Sequence, residues 1–152
     1  MFASTHIDLG PGDDAVRTSG RFERHTIEGG DGEDRMTFFD GVISTGNVSL
    51  LPGPGRDRID FGAFSTNSID GKLLIVDRQG PLSVTGSGLS VGRETTISTG
   101  NSIDRITLTN ARFGRNVYID TRGGNDVITF TGSRFRRERF IWPGEGDDDV
   151  IE

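Results

Sequence analysis

Along the chain, apolar residues fall into short alternating runs that return at a nearly constant interval. Val16, Met36, Ile59, Leu82, Ile106, Ile128 and Val150 form one column, and two residues further on stand Thr18, Phe38, Phe61, Val84, Leu108 and Phe130. Between the two columns lie Arg17, Thr37, Asp60, Ser83, Thr107 and Thr129, which suit solvent. Alternation with period two marks a strand with one face turned inward. A third apolar column, Ile7, Ile27, Leu50, Leu73, Ile97, Ile119 and Ile141, predicts a second strand in each unit. A fourth, Phe22, Val42, Phe64, Leu89, Phe113 and Phe135, follows the first strand and is expected to plug a corner.

A repeated turn sets the interval. Leu9-Gly-Pro-Gly-Asp-Asp14, Gly29-Gly-Asp-Gly-Glu-Asp34, Pro52-Gly-Pro-Gly-Arg-Asp57, Thr121-Arg-Gly-Gly-Asn-Asp126 and Pro143-Gly-Glu-Gly-Asp-Asp148 end alike, and Thr99-Gly-Asn-Ser-Ile-Asp104 is a weaker copy. Near Gln79 a seventh turn puts Gly80 in the Asp place, so the register marks are 14, 34, 57, 80, 104, 126 and 148. Two short strands in 20 to 24 residues cannot bury an apolar face alone, but stacked units bury their columns as one core. The predicted fold is therefore all-β, a single-stranded parallel β-solenoid of about six coils, each with two short strands, covering residues 1–152 as one domain. Equivalent residues would lie about 4.8 Å apart, giving an axis on the order of 30 Å. Nine residues before the mark, His25 and Arg139 interrupt a column that holds Val48 and Val117, which implies a local shift or bulge.

Composition agrees with a narrow core. Of 152 residues only 32% are hydrophobic and 23 are Gly, which argues against a large globular core or a helical bundle. With no cysteine, neither disulfides nor thiolate metal sites are available. No apolar stretch approaches the roughly 20 residues that span a bilayer, and the N-terminus shows no cleavable signal peptide. Net charge is −6, and every basic residue but Lys72 is Arg. This balance favours cations over nucleic acid as partners.

The chemistry lies in the turn. Gly-x-Gly-x-Asp permits positive φ at its glycines, so backbone carbonyls can point into the turn while the closing Asp adds a carboxylate. Stacked carboxylates about 5 Å apart would repel by roughly 1.5 to 3 kcal/mol at an effective dielectric of about 20 to 40, so the column calls for a counterion. An all-oxygen ligand set suits a hard ion such as Ca²⁺ better than Zn²⁺ or copper. The candidate ligands are the side chains of Asp14, Asp34, Asp57, Asp104, Asp126 and Asp148. With them come the turns at Gly10, Gly12, Gly30, Gly32, Gly53, Gly55, Gly144 and Gly146. Subtracting those six charges brings −6 to zero, so the ladder accounts for the acidity.

Gly29-Gly30-Asp31-Gly32-Glu33-Asp34-Arg35-Met36-Thr37 resembles the calcium-binding nonapeptide Gly-Gly-x-Gly-x-Asp-x-(large apolar)-x of RTX, or hemolysin-type, secreted proteins. The copies ending at Asp14, Asp57 and Asp148 match all but the first Gly. The resemblance implies a parallel β-roll with Ca²⁺ held between equivalent turns, and folding outside the cell when calcium is met. It further implies a secreted bacterial protein exported without an N-terminal signal. Carried onto this chain, it pairs Asp14 with Asp34, Asp34 with Asp57, Asp104 with Asp126, and Asp126 with Asp148. The chain departs from the family in having one such turn per coil instead of two, so a single metal-bearing edge is expected. Gly80, preceded by Val76 and Arg78, is expected to leave a metal-free middle.

The alternative for these Asp residues is hydrogen bonding to neighbouring amides with no metal. The opposite edge is Arg-rich, with Arg21, Arg24, Arg93, Arg112, Arg115, Arg134, Arg136, Arg137 and Arg139; it reads as a solvated surface or a site for an anionic polysaccharide or an acidic subunit. Gly88-Leu89-Ser90-Val91-Gly92 fits the Gly-x-Ser-x-Gly pattern but lacks a downstream His, and no enzyme activity is expected. His6 and His25 read as surface or strand-end residues, and the Thr107/Thr109 and Thr129/Thr131 pairs as ordinary strand formers. The ends suggest a piece of a longer protein or a unit that stacks head to tail. Two rival roles remain: a self-assembling filament, surface-layer or adhesin unit, and a non-catalytic carbohydrate-associated module of a secreted enzyme.

Overall fold

The computed structural model describes residues 3–39, 41–62 and 66–152. Among them the chain forms parallel strands in three sheets and no helix. One coil shows how the sequence does this. Val117–Asp120 and Val127–Thr131, rich in β-branched residues, are the long strands, and Arg134–Phe135 is a short third. Every strand pairs with its equivalent 20 to 25 residues away, never with a sequence neighbour. The first sheet runs from Ser4–Asp8 to Arg139–Trp142 and the second from Ala15–Thr18 to Asp149–Ile151, each with seven strands. The third, from Arg21–Phe22 to Arg134–Phe135, has six.

The predicted parallel β-solenoid is thus the observed fold, with about seven turns instead of six and three strands per coil instead of two. The missed strands are two residues long, too short for alternation to show. The corner column is Phe22, Ser44, Ile69, Val91, Phe113 and Phe135. Val42 and Leu89, expected in it, lie two residues upstream, level with Asn67 and Ala111. Both positions face inward, and in those coils the larger apolar residue is on the earlier one. Phe64 lies outside the described residues. Asn67 is buried in its column because its Oδ1 accepts the Val42 N–H at 2.9 Å and its Nδ2 donates to the Phe61 carbonyl at 2.6 Å.

The register of the fourth coil also differs from expectation. Val84, not Leu82, pairs with Ile59 and Ile106, and Leu82 stands opposite Asp57. The mark therefore falls at Leu82, not Gly80, and Ile75 replaces Leu73 in the third column. The turn between Leu73–Val76 and Leu82–Ser87 aligns its glycine, Gly80, with Gly55, two residues before the mark. Gly86 then sits between Phe61 and Leu108, whose side chains close over it.

The core is a single column of apolar side chains, including Ile27, Leu50, Ile75, Ile97 and Ile119 from the first sheet and Met36, Ile59, Val84, Ile106 and Ile128 from the second. Phe38 stacks on Phe61 at 4.9 Å and Phe113 on Phe135 at 5.0 Å. Each fully buried side chain of this size contributes about 1.5 to 3 kcal/mol. His25 is not at the surface. It is 1% exposed, stacks on Phe22 at 4.5 Å and hydrogen-bonds Thr5 Oγ1 through Nδ1. Burial lowers its pKa below the ordinary imidazole value, so the neutral ring is the form that fits the core. Arg139, in the same column, turns outward, its guanidinium 4.6 Å from the Phe135 ring and paired with Glu152 at 2.5 Å.

Candidate metal-binding edge

The turns joining the first sheet to the second stack directly on one another, which brings the repeated Gly-x-Gly-x-Asp segments onto one edge. Their glycines all have positive φ, from +85° at Gly10 to +147° at Gly146. Stacking adds a second demand. A Cβ on Gly32 would lie 2.1 Å from the Gly12 carbonyl oxygen, and one on Gly55 1.7 Å from that of Gly32. Gly30 stacks over Gly10 in the same way, Gly53 over Gly30, Gly144 over Arg122, and Gly146 over Gly124. Arg122 is itself left-handed, with φ +62° at a position other coils give to glycine.

The Asp that closes each turn lies two residues before an inward apolar residue, so it points inward as well. Asp34, Asp57, Asp104 and Asp126 are 2% exposed or less, while Asp14 and Asp148 are half-buried. From Asp34 onward, one oxygen of each carboxylate binds the coil before it. Asp34 Oδ1 accepts the Asp14 N–H at 2.9 Å, Asp57 Oδ1 the Asp34 N–H at 2.8 Å, and Asp104 Oδ1 the Leu82 N–H at 2.7 Å. Asp126 and Asp148 do the same for Asp104 and Asp126, at 2.8 and 2.9 Å. To this extent the amide-bonding alternative describes the turns.

The other oxygen is left over. Oδ2 of Asp34, Asp57, Asp104 and Asp126 is buried with no hydrogen-bond partner. An ionised carboxylate held in this way is costly, because burial strips its water and supplies nothing in return. Burial first, with neighbouring acids adding to it, pushes Asp57 and Asp104 up to about 6 and raises Asp34 and Asp126, although each accepts a backbone N–H that favours its anion and the hydroxyls of Thr99 and Thr121 favour those of Asp104 and Asp126.

The fourth coil departs from the row in a way the sequence reading missed. Leu82 removes a carboxylate, yet the middle is not free of charge. Asp77, at the end of the preceding strand and level with Thr99, is 1% exposed between Asp57 and Asp104. Its Oδ1 accepts the Gln79 N–H at 3.1 Å and its Oδ2 has no partner. Burial, with the charges of Asp57 and Asp104, pushes it up to about 7. Aligning Gly80 with Gly55 instead of with Asp57 would have exposed this acid on the opposite side of the same turn.

Among the described residues no three carboxylate, His or Cys side chains converge on one point. An ion on this edge would therefore take at most a pair of carboxylates and draw its remaining oxygens from the turn backbone. The donor set is all oxygen, and its unpartnered members are anionic, which fits a hard divalent cation. Ser90, of the Gly-x-Ser-x-Gly match, lies in a two-residue strand away from this edge. No protein-family model, curated protein or solved structure matches the chain. The likeness to RTX repeats therefore rests on the turn residues themselves. No helix among the described residues is long and apolar enough to cross a membrane.

Proposed function

We propose that the chain is a calcium-binding solenoid of RTX type with a structural or binding role and no catalysis of its own, and that calcium couples to its folding outside the cell. One observation carries this reading: a row of buried carboxylates, Asp34, Asp57, Asp104 and Asp126, each with Oδ1 bound to the coil before it and Oδ2 without a hydrogen-bond partner. Asp14 with Asp34, Asp34 with Asp57, Asp104 with Asp126, and Asp126 with Asp148 would hold ions between successive coils, and Asp77 would serve between Asp57 and Asp104. A bound divalent cation supplies the positive charge that the unpartnered oxygens lack. Because neighbouring coils supply the ligands jointly, binding free energy becomes folding free energy. Where free calcium is scarce the row destabilises the stack, and where calcium is plentiful the stack closes. The RTX likeness supports an extracellular setting for this protein.

Circular dichroism during a calcium titration tests the switch. The β signal is expected to be weak in excess chelator and to appear cooperatively as calcium is added. An unchanged β spectrum in chelator would remove the switch and leave a plain scaffold.

A further inference from the structure

The outer face of the third sheet carries charge that the Asp edge does not use. Arg112–Phe113 and Arg134–Phe135 pair in parallel, so Arg112 lies beside Arg134. Val91, Phe113 and Phe135 are aligned, and the chain leaves each along the same path, with the Gly114 N–H on the Val91 carbonyl at 2.8 Å and the Arg136 N–H on the Phe113 carbonyl at 2.9 Å. Arg93, Arg115 and Arg137 each follow two residues later and make a second basic column, parallel to the first. Between the columns Gly92 and Gly114 offer no side chain, which leaves a short trough along the solenoid axis that Arg136 closes on the next rung. Arg112, Arg115, Arg134, Arg136 and Arg137 line a groove of about 590 Å³ there, and no acidic residue is on its walls.

These arginines are exposed. Among the described residues, Arg112, Arg134, Arg136 and Arg137 have no carboxylate within ion-pair distance. The nearest acids are on the rim: Glu94, already paired with Lys72 at 2.6 Å, and Glu138. A protein of net charge −6 thus stacks Arg112 and Arg134 one rung apart with no acid between them, while the column of Arg115 and Arg137 has Glu94 and Glu138 on its outer side.

We propose that this trough binds a linear acidic glycan running along the solenoid axis, with one carboxylate or sulfate per sugar facing each rung. The guanidinium fork matches both groups in bidentate fashion. The rung spacing, about 4.8 Å, is close to the length of one sugar ring. Single-stranded nucleic acid fits less well, because it needs open aromatic faces on which bases stack. Phe113 is 2% exposed and its ring is taken up by Phe130 and Phe135. The exposed Trp142, with Phe140 and Tyr118, belongs to the first sheet and not to this groove.

The test uses the full chain at about 0.1 M salt, where charges more than roughly 10 Å apart are screened. Chondroitin sulfate has an acidic group on every sugar, hyaluronan on every second sugar, and dextran on none; poly(dT) is the nucleic-acid probe. Each is titrated with calcium and with chelator, in whichever condition circular dichroism shows the fold. Chondroitin sulfate is expected to bind most tightly, hyaluronan more weakly and dextran not at all. Joint substitution of Arg112→Gln and Arg134→Gln should weaken chondroitin sulfate binding about tenfold or more. Arg35→Gln with Arg58→Gln, an exposed aligned pair on the second sheet, should change it by less than about twofold. Absence of chondroitin sulfate binding by the folded chain, tighter binding of poly(dT), or insensitivity to the Arg112/Arg134 pair each overturns the proposal. A chain that folds in chelator and still binds the glycan would end the calcium switch and leave the trough standing.

Discussion

At Asp57 the two carboxylate oxygens have different fates: Oδ1 holds the Asp34 amide, and Oδ2 is buried against nothing. Asp57→Asn keeps the acceptor and removes the charge, so its effect should change sign with the solvent. In chelator it should stabilise the fold by about 1 to 2 kcal/mol, since a buried anion that titrates near 6 is gone. In calcium it should destabilise. Urea midpoints in both conditions check this, with Asp60→Asn as the control in the same strand; stabilisation in both would show that Asp57 serves only its amide. The identity of these Asp residues was legible from the repeat, but their inward direction was only implicit in it, since Asp34, Met36 and Phe38 share one face of the chain. His25 was illegible for a related reason. A polar residue in an apolar column reads as a break, and only the stacked Phe22 and the Thr5 hydroxyl make it a core residue.

Within the turn, glycine has two separable reasons. Gly10 needs only its positive φ of +85°, for a Cβ there would meet nothing within 4 Å. Gly55 has φ +145° and the Gly32 carbonyl oxygen 1.7 Å from where a Cβ would stand. Gly10→Ala should therefore cost about 1 kcal/mol, and Gly55→Ala about 3 kcal/mol or more, because a neighbouring coil must move. Thermal unfolding in calcium distinguishes them, and equal losses would mean that stacking places no demand on the glycine. Strand order and register followed from the period-two columns wherever the spacing stayed near 22. They failed by two residues in the fourth coil because Leu82 and Val84 keep the apolar alternation in either register, while the turn glycine, Gly80, was matched to an Asp. That slip also hid Asp77.

Across the whole molecule the raised carboxylates set a pH dependence. Asp57, Asp77 and Asp104 hold protons in the folded chain up to about 6 or 7, whereas the unfolded chain releases them near 4. In chelator, stability should be greatest at about pH 4 and fall as pH rises from there to 6 or 7, by on the order of 2 kcal/mol or about 5 °C in melting temperature. His25 acts in the opposite sense, since its unfolded imidazole takes up a proton below about 6.5 that the buried ring refuses, and it should blunt the gain on the acid side. With calcium present the trend should invert, because protons and metal compete for the same oxygens. Melting curves from pH 5 to 8 in chelator and in calcium measure both slopes, and parallel slopes would mean that the carboxylate row takes up no calcium.

Because each strand finds its partner 20 to 25 residues away, no strand pairing among the described residues has to wait for a distant stretch of chain. A polypeptide threading slowly out of a narrow opening could lay each course on the one before as soon as some two dozen more residues had emerged. Construction would keep pace with delivery from the first course to the last.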